Sequence, residues 1–204
     1  MQIPAKIRRL GRQRTRHCEL PFPAAPELRV AQITATSPFD HVAAFPPDRW
    51  QELETYRPQV LVGPAAELQR LRERVEIGLV DLKALDHAVF VLTECGDKPL
   101  SDMSRVVLWQ TFGVPVYELF VGMEGVLLAS ECEAHEGWHV QPYANFSVRD
   151  DELVVNALTQ KTQRTGLLGS IETAGCPCGR PGKRVMGVET LRSKTARHEL
   201  AATA

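Results

Sequence analysis

The chain has 204 residues, of which 44% are hydrophobic and 24% are charged, and its formal net charge at pH 7 is −1. This length and apolar content suit one domain of ordinary size with a small satellite, and the near-neutral charge excludes a protein that binds polyanions over its whole surface. No run approaches the roughly 18–20 apolar residues of a membrane span, and no secretory leader is recognisable, so we expect a cytoplasmic protein with no membrane partner.

Residues 1–47 predict a basic, proline-rich arm with one short strand over residues 29–34. Six Lys and Arg side chains lie between Lys6 and Arg16, and six prolines follow between Pro21 and Pro47. A basic arm could contact phosphate groups. It has no aromatic residues between its basic ones, which argues against nucleic-acid binding. A zinc-dependent scaffold or nucleic-acid-binding protein is therefore kept only as an alternative.

Residues 48–124 predict an α/β unit. Apolar β-type runs occur at residues 59–63, 88–92 and 114–120, and each is preceded by a helical pattern. These helices are expected to begin near Asp48, Pro64 and Ser101 and to end near Pro58, Gly78 and Gly113. Strands that alternate with helices through short links indicate a short parallel sheet with right-handed crossover helices.

Residues 125–191 predict a small antiparallel β-subdomain, and residues 192–204 predict a polar tail. Short β-type runs alternate with turn signals over this part of the chain. The expected strands cover residues 126–130, 138–140, 146–148, 152–158, 167–171 and 183–188.

Two cysteine-containing turns in this subdomain predict a structural zinc site. Cys176 and Cys178 flank a single proline in a Gly- and Pro-rich turn, which can direct both sulfurs at one ion. Cys132 ends one predicted strand and His139 begins the next, so the two lie nearly opposite each other in a hairpin. His135, at the tip of that hairpin, is the rival histidine ligand. Four protein ligands leave no open position for a catalytic water.

The other thiols and imidazoles predict no chemistry. Cys18 and Cys95 have no partners at metal-ligand spacing, and no general base accompanies Cys95. The isolated histidines at positions 17, 41, 87 and 198 are expected to be structural or exposed.

From about Asp48 to Glu189 the chain resembles the adenylation domain of phenylacetate–CoA ligase-like, adenylate-forming enzymes. Six segments carry the resemblance: YRPQVLVG at 56–63, FGVPVY at 112–117, GMEG at 122–125, the hairpin from 131 to 140, RTG at 164–166 and CPCGRPG at 176–182. The CPCGRPG segment is the most specific, and the other five are specific only in combination.

The resemblance implies that the protein descends from enzymes that activate a carboxylate with ATP and pass the acyl group to a thiol such as coenzyme A. It implies that Glu124 corresponds to the acid that helps to hold Mg²⁺ and that Phe120 stands where an aromatic ring stacks on adenine. Gly122 and Arg164 belong to the matching nucleotide-binding segments. In some of these ligases the hairpin and the segment matching CPCGRPG also hold zinc, which agrees with the prediction from the cysteines.

The chain departs from the family at the positions that bind the nucleotide. The family motif Tyr-Gly-x-Thr-Glu is replaced by Phe120-Val121-Gly122-Met123-Glu124, and Leu167 stands where an aspartate holds the ribose. Residues 1–47 contain no Ser/Thr/Gly-rich phosphate loop, and only 15 residues follow Glu189, where the lid with its catalytic lysine is expected. Any binding of ATP, AMP and Mg²⁺ is therefore expected to be weak.

These observations predict a truncated ligase homologue that is stabilised by zinc and is not catalytically competent alone. The alternative is a subunit of a split acyl- or aryl-CoA ligase that a second chain completes. Whether the chain is an enzyme, its acyl substrate and its oligomeric state do not follow from the sequence.

Overall fold

The computed structural model describes residues 28–35, 42–122, 125–156 and 162–191. The basic residues 6–16, Cys18, Glu124 and the tail 192–204 lie outside this part of the chain, and so do the predictions made for them. The described elements, in chain order, are β1 (Val30–Ile33), β2 (Ala43–Phe45), α1 (Trp50–Tyr56), β3 (Val60–Pro64), α2 (Ala65–Glu76), β4 (Ala88–Glu94), α3 (Asp102–Phe112), β5 (Val116–Val121), β6 (Leu127–Ser130), β7 (Trp138–Val140), β8 (Asn145–Arg149), β9 (Glu152–Asn156), β10 (Thr162–Arg164), β11 (Leu167–Glu172) and β12 (Arg184–Thr190).

Nine of these strands form one continuous sheet in the order β11-β12-β7-β6-β5-β4-β3-β1-β2. Strands β2, β1, β3, β4 and β5 pair in parallel, whereas β5 to β6 and all later pairs in this sheet are antiparallel. Strands β8, β9 and β10 form a second, antiparallel sheet. The mixed α/β architecture is confirmed. The parallel part contains two more strands than predicted, and four strands of the predicted β-subdomain extend the same sheet.

The short strand predicted over residues 29–34 is confirmed by β1, but two other short strands were not predicted. Strand β2 places residues 43–45 in the sheet, although they were assigned to an arm. Strand β10 was not predicted, because Thr162–Arg164 has no apolar alternation. Helix α1 begins at Trp50, two residues after Asp48, with Arg49 at its N-cap and no side-chain capping bond.

All three described helices pack on one face of the parallel strands. Leu53 of α1, Leu68 of α2 and Leu108 of α3 share a buried cluster with Ile33 and Val91 from the sheet. Helix α3 begins as predicted, because the Ser101 hydroxyl accepts a hydrogen bond from the Ser104 backbone N–H, and it ends at Gly113 with φ of 70°.

The small sheet extends this covered face beyond the helices. Phe146 and Val155 of the small sheet pack in one buried cluster with Phe120, Leu128 and Trp138 of the large sheet. The opposite face of the parallel strands is also apolar, and none of the described helices contributes to its cluster. None of the helices in the described residues has the length and hydrophobicity needed to cross a bilayer.

Candidate metal centre

Two loops bring three thiols and one imidazole together at the β7–β12 side of the large sheet. Cys132 lies in the loop between β6 and β7, and His139 lies in β7 itself. Cys176 and Cys178 lie in the loop between β11 and β12. The four ligand atoms all lie within 4.8 Å of one another, so a single ion could contact all of them.

Two of the distances within this cluster are close to those of a tetrahedral zinc site. Cys132 Sγ lies 3.7 Å from Cys176 Sγ, and Cys178 Sγ lies 3.4 Å from His139 Nε2. A tetrahedral ion with Zn–S of about 2.3 Å and Zn–N of about 2.0 Å separates two sulfurs by about 3.8 Å and a sulfur from a nitrogen by about 3.5 Å. The donor set and its spacing therefore match a closed Cys₃His site.

Tight turns give the two loops their shape. In the knuckle formed by residues 176–179, the Gly179 N–H donates to the Cys176 carbonyl at 2.9 Å, and Gly179 has φ of 79°. In the hairpin, Gly137 has φ of 77°, and a Cβ at this position would lie 2.4 Å from the carbonyl oxygen of Val185. Glycine is thus required at position 137 both by conformation and by the close approach of β12.

Burial favours the uncharged forms of the Cys132 thiol and the His139 imidazole. Desolvation, reinforced by the neighbouring thiols, raises the pKa of Cys132 to about 12, so this thiol gives up its proton only when a cation replaces it. Desolvation also lowers the pKa of His139, and the positive charges of Arg180 and Arg184 lower it further. The imidazole is therefore neutral at pH 7, which is the form that binds metal.

The rival histidine, His135, is not part of the cluster. Its side chain is 39% exposed, and its Nδ1 lies 3.7 Å from Glu131 Oε2. The ring stacks on Tyr117 with centroids 5.3 Å apart. The structure therefore places His139 beside the three thiols, whereas His135 packs against Tyr117 and Glu131.

A buried ion pair connects the hairpin to helix α3. Glu131, directly before Cys132, accepts hydrogen bonds from Arg105 Nη1 at 2.8 Å and Nη2 at 2.7 Å. The same carboxylate accepts from the Glu118 backbone N–H at 2.7 Å. The side chains of Arg105 and Glu131 are only 18% and 7% exposed, so this bidentate pair is well shielded from water.

A second buried carboxylate, Glu118, lies in the middle of β5. It accepts hydrogen bonds from the Leu100 backbone N–H at 2.8 Å, from the Thr93 hydroxyl and from Trp138 Nε1 at 3.2 Å. Desolvation raises the pKa of Glu118, and the hydrogen bonds from Thr93 and Leu100 oppose that rise. Because Trp138 is adjacent to His139, this network joins the metal cluster to the loop that precedes α3.

The aromatic residue that the resemblance assigns to adenine is buried. Phe120 has no exposed surface, and its ring stacks on Trp138 with centroids 5.1 Å apart and an interplanar angle of 14°. The ring of Phe146 lies 6.0 Å away on a tilted plane. An adenine ring could stack on Phe120 only if this aromatic cluster opened.

The remaining nucleotide-binding candidates come together at the carboxyl ends of β4 and β5, the edge where open α/β sheets bind ligands. A Cβ at Gly122 would lie 2.7 Å from Leu128 Cδ1 and 3.2 Å from Gln163 Oε1, so this glycine is needed for packing. Arg164, next to Gln163, donates to Glu152 at 2.6 Å, and its side chain is 64% exposed. Leu167, at the position of the ribose aspartate, is fully buried in the core.

Cys95 lies at the same edge, and its surroundings do not favour a nucleophile. Burial raises the pKa of Cys95 to about 11, and the carboxylates of Glu94 and Asp97 raise it further. Its nearest polar partner is Gln163 Oε1, at 3.8 Å. A thiol in this state is almost entirely protonated at neutral pH.

Sequence reasoning missed the residues that support the cluster. Glu131 and Arg105 are 26 positions apart, and Arg184 lies 48 positions from the Glu136 carbonyl that it contacts. Separations of this size have no periodic or motif signal. The only available indication was that Glu131 directly precedes a predicted ligand.

Comparison with known proteins places the fold among acyl-CoA ligases. No protein-family model matches the sequence, and no curated protein does. Among solved structures, 2-hydroxyisobutyryl-CoA ligase in complex with 2-HIB-AMP and CoA in the thioesterification state matches 80% of this chain and 43% of its own, with a TM-score of 0.62 and 18% identity. Coronafacic acid ligase from Pectobacterium brasiliense matches 84% of this chain and 41% of its own, with a TM-score of 0.58 and 9% identity.

These neighbours confirm the ligase-like fold that the sequence motifs predicted. The likeness covers about four-fifths of this chain, but the chain spans less than half the length of the ligases that it matches. At this level of identity the comparison shows the fold alone. The comparison therefore does not extend to a phenylacetate subtype or to a bound zinc, and both are proposed below from the residues of this chain.

Proposed function

We propose that this chain is a zinc-stabilised homologue of AMP-forming, phenylacetate–CoA ligase-like enzymes. The observation that carries the proposal is the group of four ligand atoms within 4.8 Å of one another, supplied by two loops of a ligase-like fold. Zinc has a structural role here, because Cys132, His139, Cys176 and Cys178 complete its coordination and leave no position for substrate or water.

Elemental analysis of protein purified without chelators tests the metal assignment. We expect about one zinc per chain, as a closed tetrahedral site requires. The double variant Cys176→Ser with Cys178→Ser is expected to lose it, whereas Cys95→Ser, which changes a thiol outside the cluster, is expected to retain it. Zinc-free wild-type protein, or full zinc in the double variant, would contradict the proposal.

We further propose that these 204 residues alone do not form an acyl adenylate. Adenylation requires a cradle for the phosphates, a hold on the ribose and a lysine over the reacting carboxylate. In this chain Leu167 replaces the ribose acid and is part of the core, and Phe120 is covered by Trp138. Nucleotide binding, if retained, is limited to the edge near Gly122 and Arg164, with Glu124 as the acid for Mg²⁺.

Pyrophosphate exchange across a panel of carboxylic acids that includes phenylacetate tests this second proposal. We expect exchange at the level of a protein-free control, because the triphosphate is not positioned for attack. The Glu124→Gln variant provides the matched comparison. Exchange well above background in the wild type, and its loss in Glu124→Gln, would show that the chain is an enzyme.

A subunit of a split ligase is the second candidate function. The chain matches 41–44% of the length of the first ligases with about four-fifths of its own length, so a split ligase would draw the unmatched part from another polypeptide. A second polypeptide that supplies the phosphate loop and the lid lysine would complete such an enzyme. Co-expression with a protein of that kind, followed by the same exchange assay, separates this candidate from the first.

A further inference from the structure

Arg184 is a buried arginine at the start of β12 that contacts both metal-binding loops. It is 3% exposed, and in the antiparallel register it lies opposite His139 of β7. Its Nη1 donates to the Glu136 backbone carbonyl at 2.9 Å, and its Nη2 donates to the Gly175 carbonyl at 3.4 Å. One guanidinium group therefore connects the hairpin with the knuckle.

The two carbonyls that Arg184 contacts belong to residues within three positions of a metal ligand. Gly175 directly precedes Cys176, and Glu136 lies three residues before His139. A planar guanidinium presents several N–H groups in a fixed arrangement, so it can hold two carbonyls at a defined separation, whereas the rotatable donors of a lysine ammonium define no such separation. The contacts of Arg184 therefore set the distance between the loops that carry the ligands.

The charge of Arg184 also suits its position. Three thiolates and one neutral imidazole around Zn²⁺ leave a net negative charge, which is costly to bury without a nearby cation. Arg184 is itself held by the carboxylates of Glu136, at 3.5 Å, and Glu172, at 3.8 Å. The other cation beside the cluster, Arg180, pairs with Glu133 at 3.3 Å and is more exposed.

We propose that Arg184 is a positioning residue for the metal centre. Its side chain joins the two ligand-bearing loops and offsets the charge of the thiolate-rich site. This inference rests on the proposed zinc. It predicts that the affinity for metal depends on a side chain that makes no bond to the ion, as is common for groups that orient metal ligands.

Metal competition with a chromophoric chelator tests the inference on the full chain. We expect the Kd for zinc to rise about 10- to 100-fold in Arg184→Met, the range typical for loss of such a supporting contact. Arg184→Lys keeps the charge but lacks the planar arrangement of donors, so it is expected to recover only part of the affinity. Arg72→Met is the control, since Arg72 lies in helix α2, where it pairs with Glu76.

Cobalt provides a readout that a general loss of stability does not change. In Co²⁺-loaded wild-type protein the thiolate charge-transfer and d–d bands report the ligand geometry, and we expect both to shift in Arg184→Met and to stay unchanged in Arg72→Met.

A wild-type Kd and a wild-type cobalt spectrum in Arg184→Met would overturn the inference and leave the zinc proposal intact. Absence of zinc binding in the wild type would overturn both. If Arg184→Met does not fold, Arg184→Lys decides, and wild-type affinity in that variant would overturn the joining role.

Discussion

Removal of zinc by a chelator is expected to lower the Tm of this chain by more than about 10 °C, because each kcal/mol shifts the Tm of a domain of this size by about 2–4 °C. A ligand present at about 1,000 times its Kd stabilises the native state by about 4 kcal/mol, and structural zinc commonly exceeds that ratio. The chelated protein should therefore unfold well before the zinc-loaded protein in a calorimetric or near-ultraviolet melt.

The structure indicates where this loss of stability begins. Strand β12 pairs with β7 over a short stretch, through Arg184 with His139 and Val185 with Trp138, and the Val140 N–H donates to the Lys183 carbonyl at 2.9 Å. The hairpin of β11 and β12 joins the large sheet through this short contact and through the metal ligands on either side of it. Without metal, hydrogen exchange should increase first over residues 167–190, and the near-ultraviolet signal of Trp138 should change with it.

The double variant Cys176→Ser with Cys178→Ser is the control for this experiment. It has no complete ligand set, so chelator should not change its melting curve. Coincident melting curves of the wild type with and without chelator, in protein shown to contain zinc, would contradict a structural role for the metal.

Replacement of Arg105 by methionine is expected to destabilise the native state by about 3–5 kcal/mol, the usual cost of leaving one member of a buried ion pair uncompensated. The variant leaves Glu131, 7% exposed, with the Glu118 backbone N–H and the more distant His135 as its remaining partners. Chemical denaturation of zinc-loaded protein at pH 7 measures the effect.

Arg49→Met provides the matched control for the Arg105 variant. Arg49 pairs with Glu52 at 3.4 Å, but both side chains are more than half exposed, so the loss is expected to be about 0.2–1 kcal/mol. Equal midpoints for the two variants would show that Arg105 and Glu131 do not stabilise the hairpin. A large loss of stability with unchanged zinc content in Arg105→Met would indicate that the pair supports the fold without affecting the metal.

Elements with strong local signals were predictable from the sequence. The helix over residues 102–112 follows from Ser101 as its cap and Gly113 as its left-handed end, and both have that role in the structure. Strand β7 was predicted with its observed bounds, because a turn ends directly before Trp138. Strands β2 and β10 were missed, since runs of three residues acquire their identity from the strands beside them.

The ligand spacing of the knuckle and the hairpin was also a property of the sequence, since a rigid turn with two thiols has the same local geometry in any fold. The tertiary structure decided which residues complete the site. It placed His139 next to the thiols and His135 against Tyr117. It also buried Phe120 against Trp138, a position that the nucleotide-binding role implied by the motif did not predict.

The sequence by itself determined the local conformations, the α/β alternation and the chemistry of the candidate ligands, because these depend on neighbours within a few positions. Only the tertiary structure decided that one sheet runs from β2 to β11, that Glu131 pairs with Arg105 and that Arg184 holds both loops. These contacts join residues far apart in the chain. Their free energy depends on burial and on charges brought together by folding, which no local pattern records.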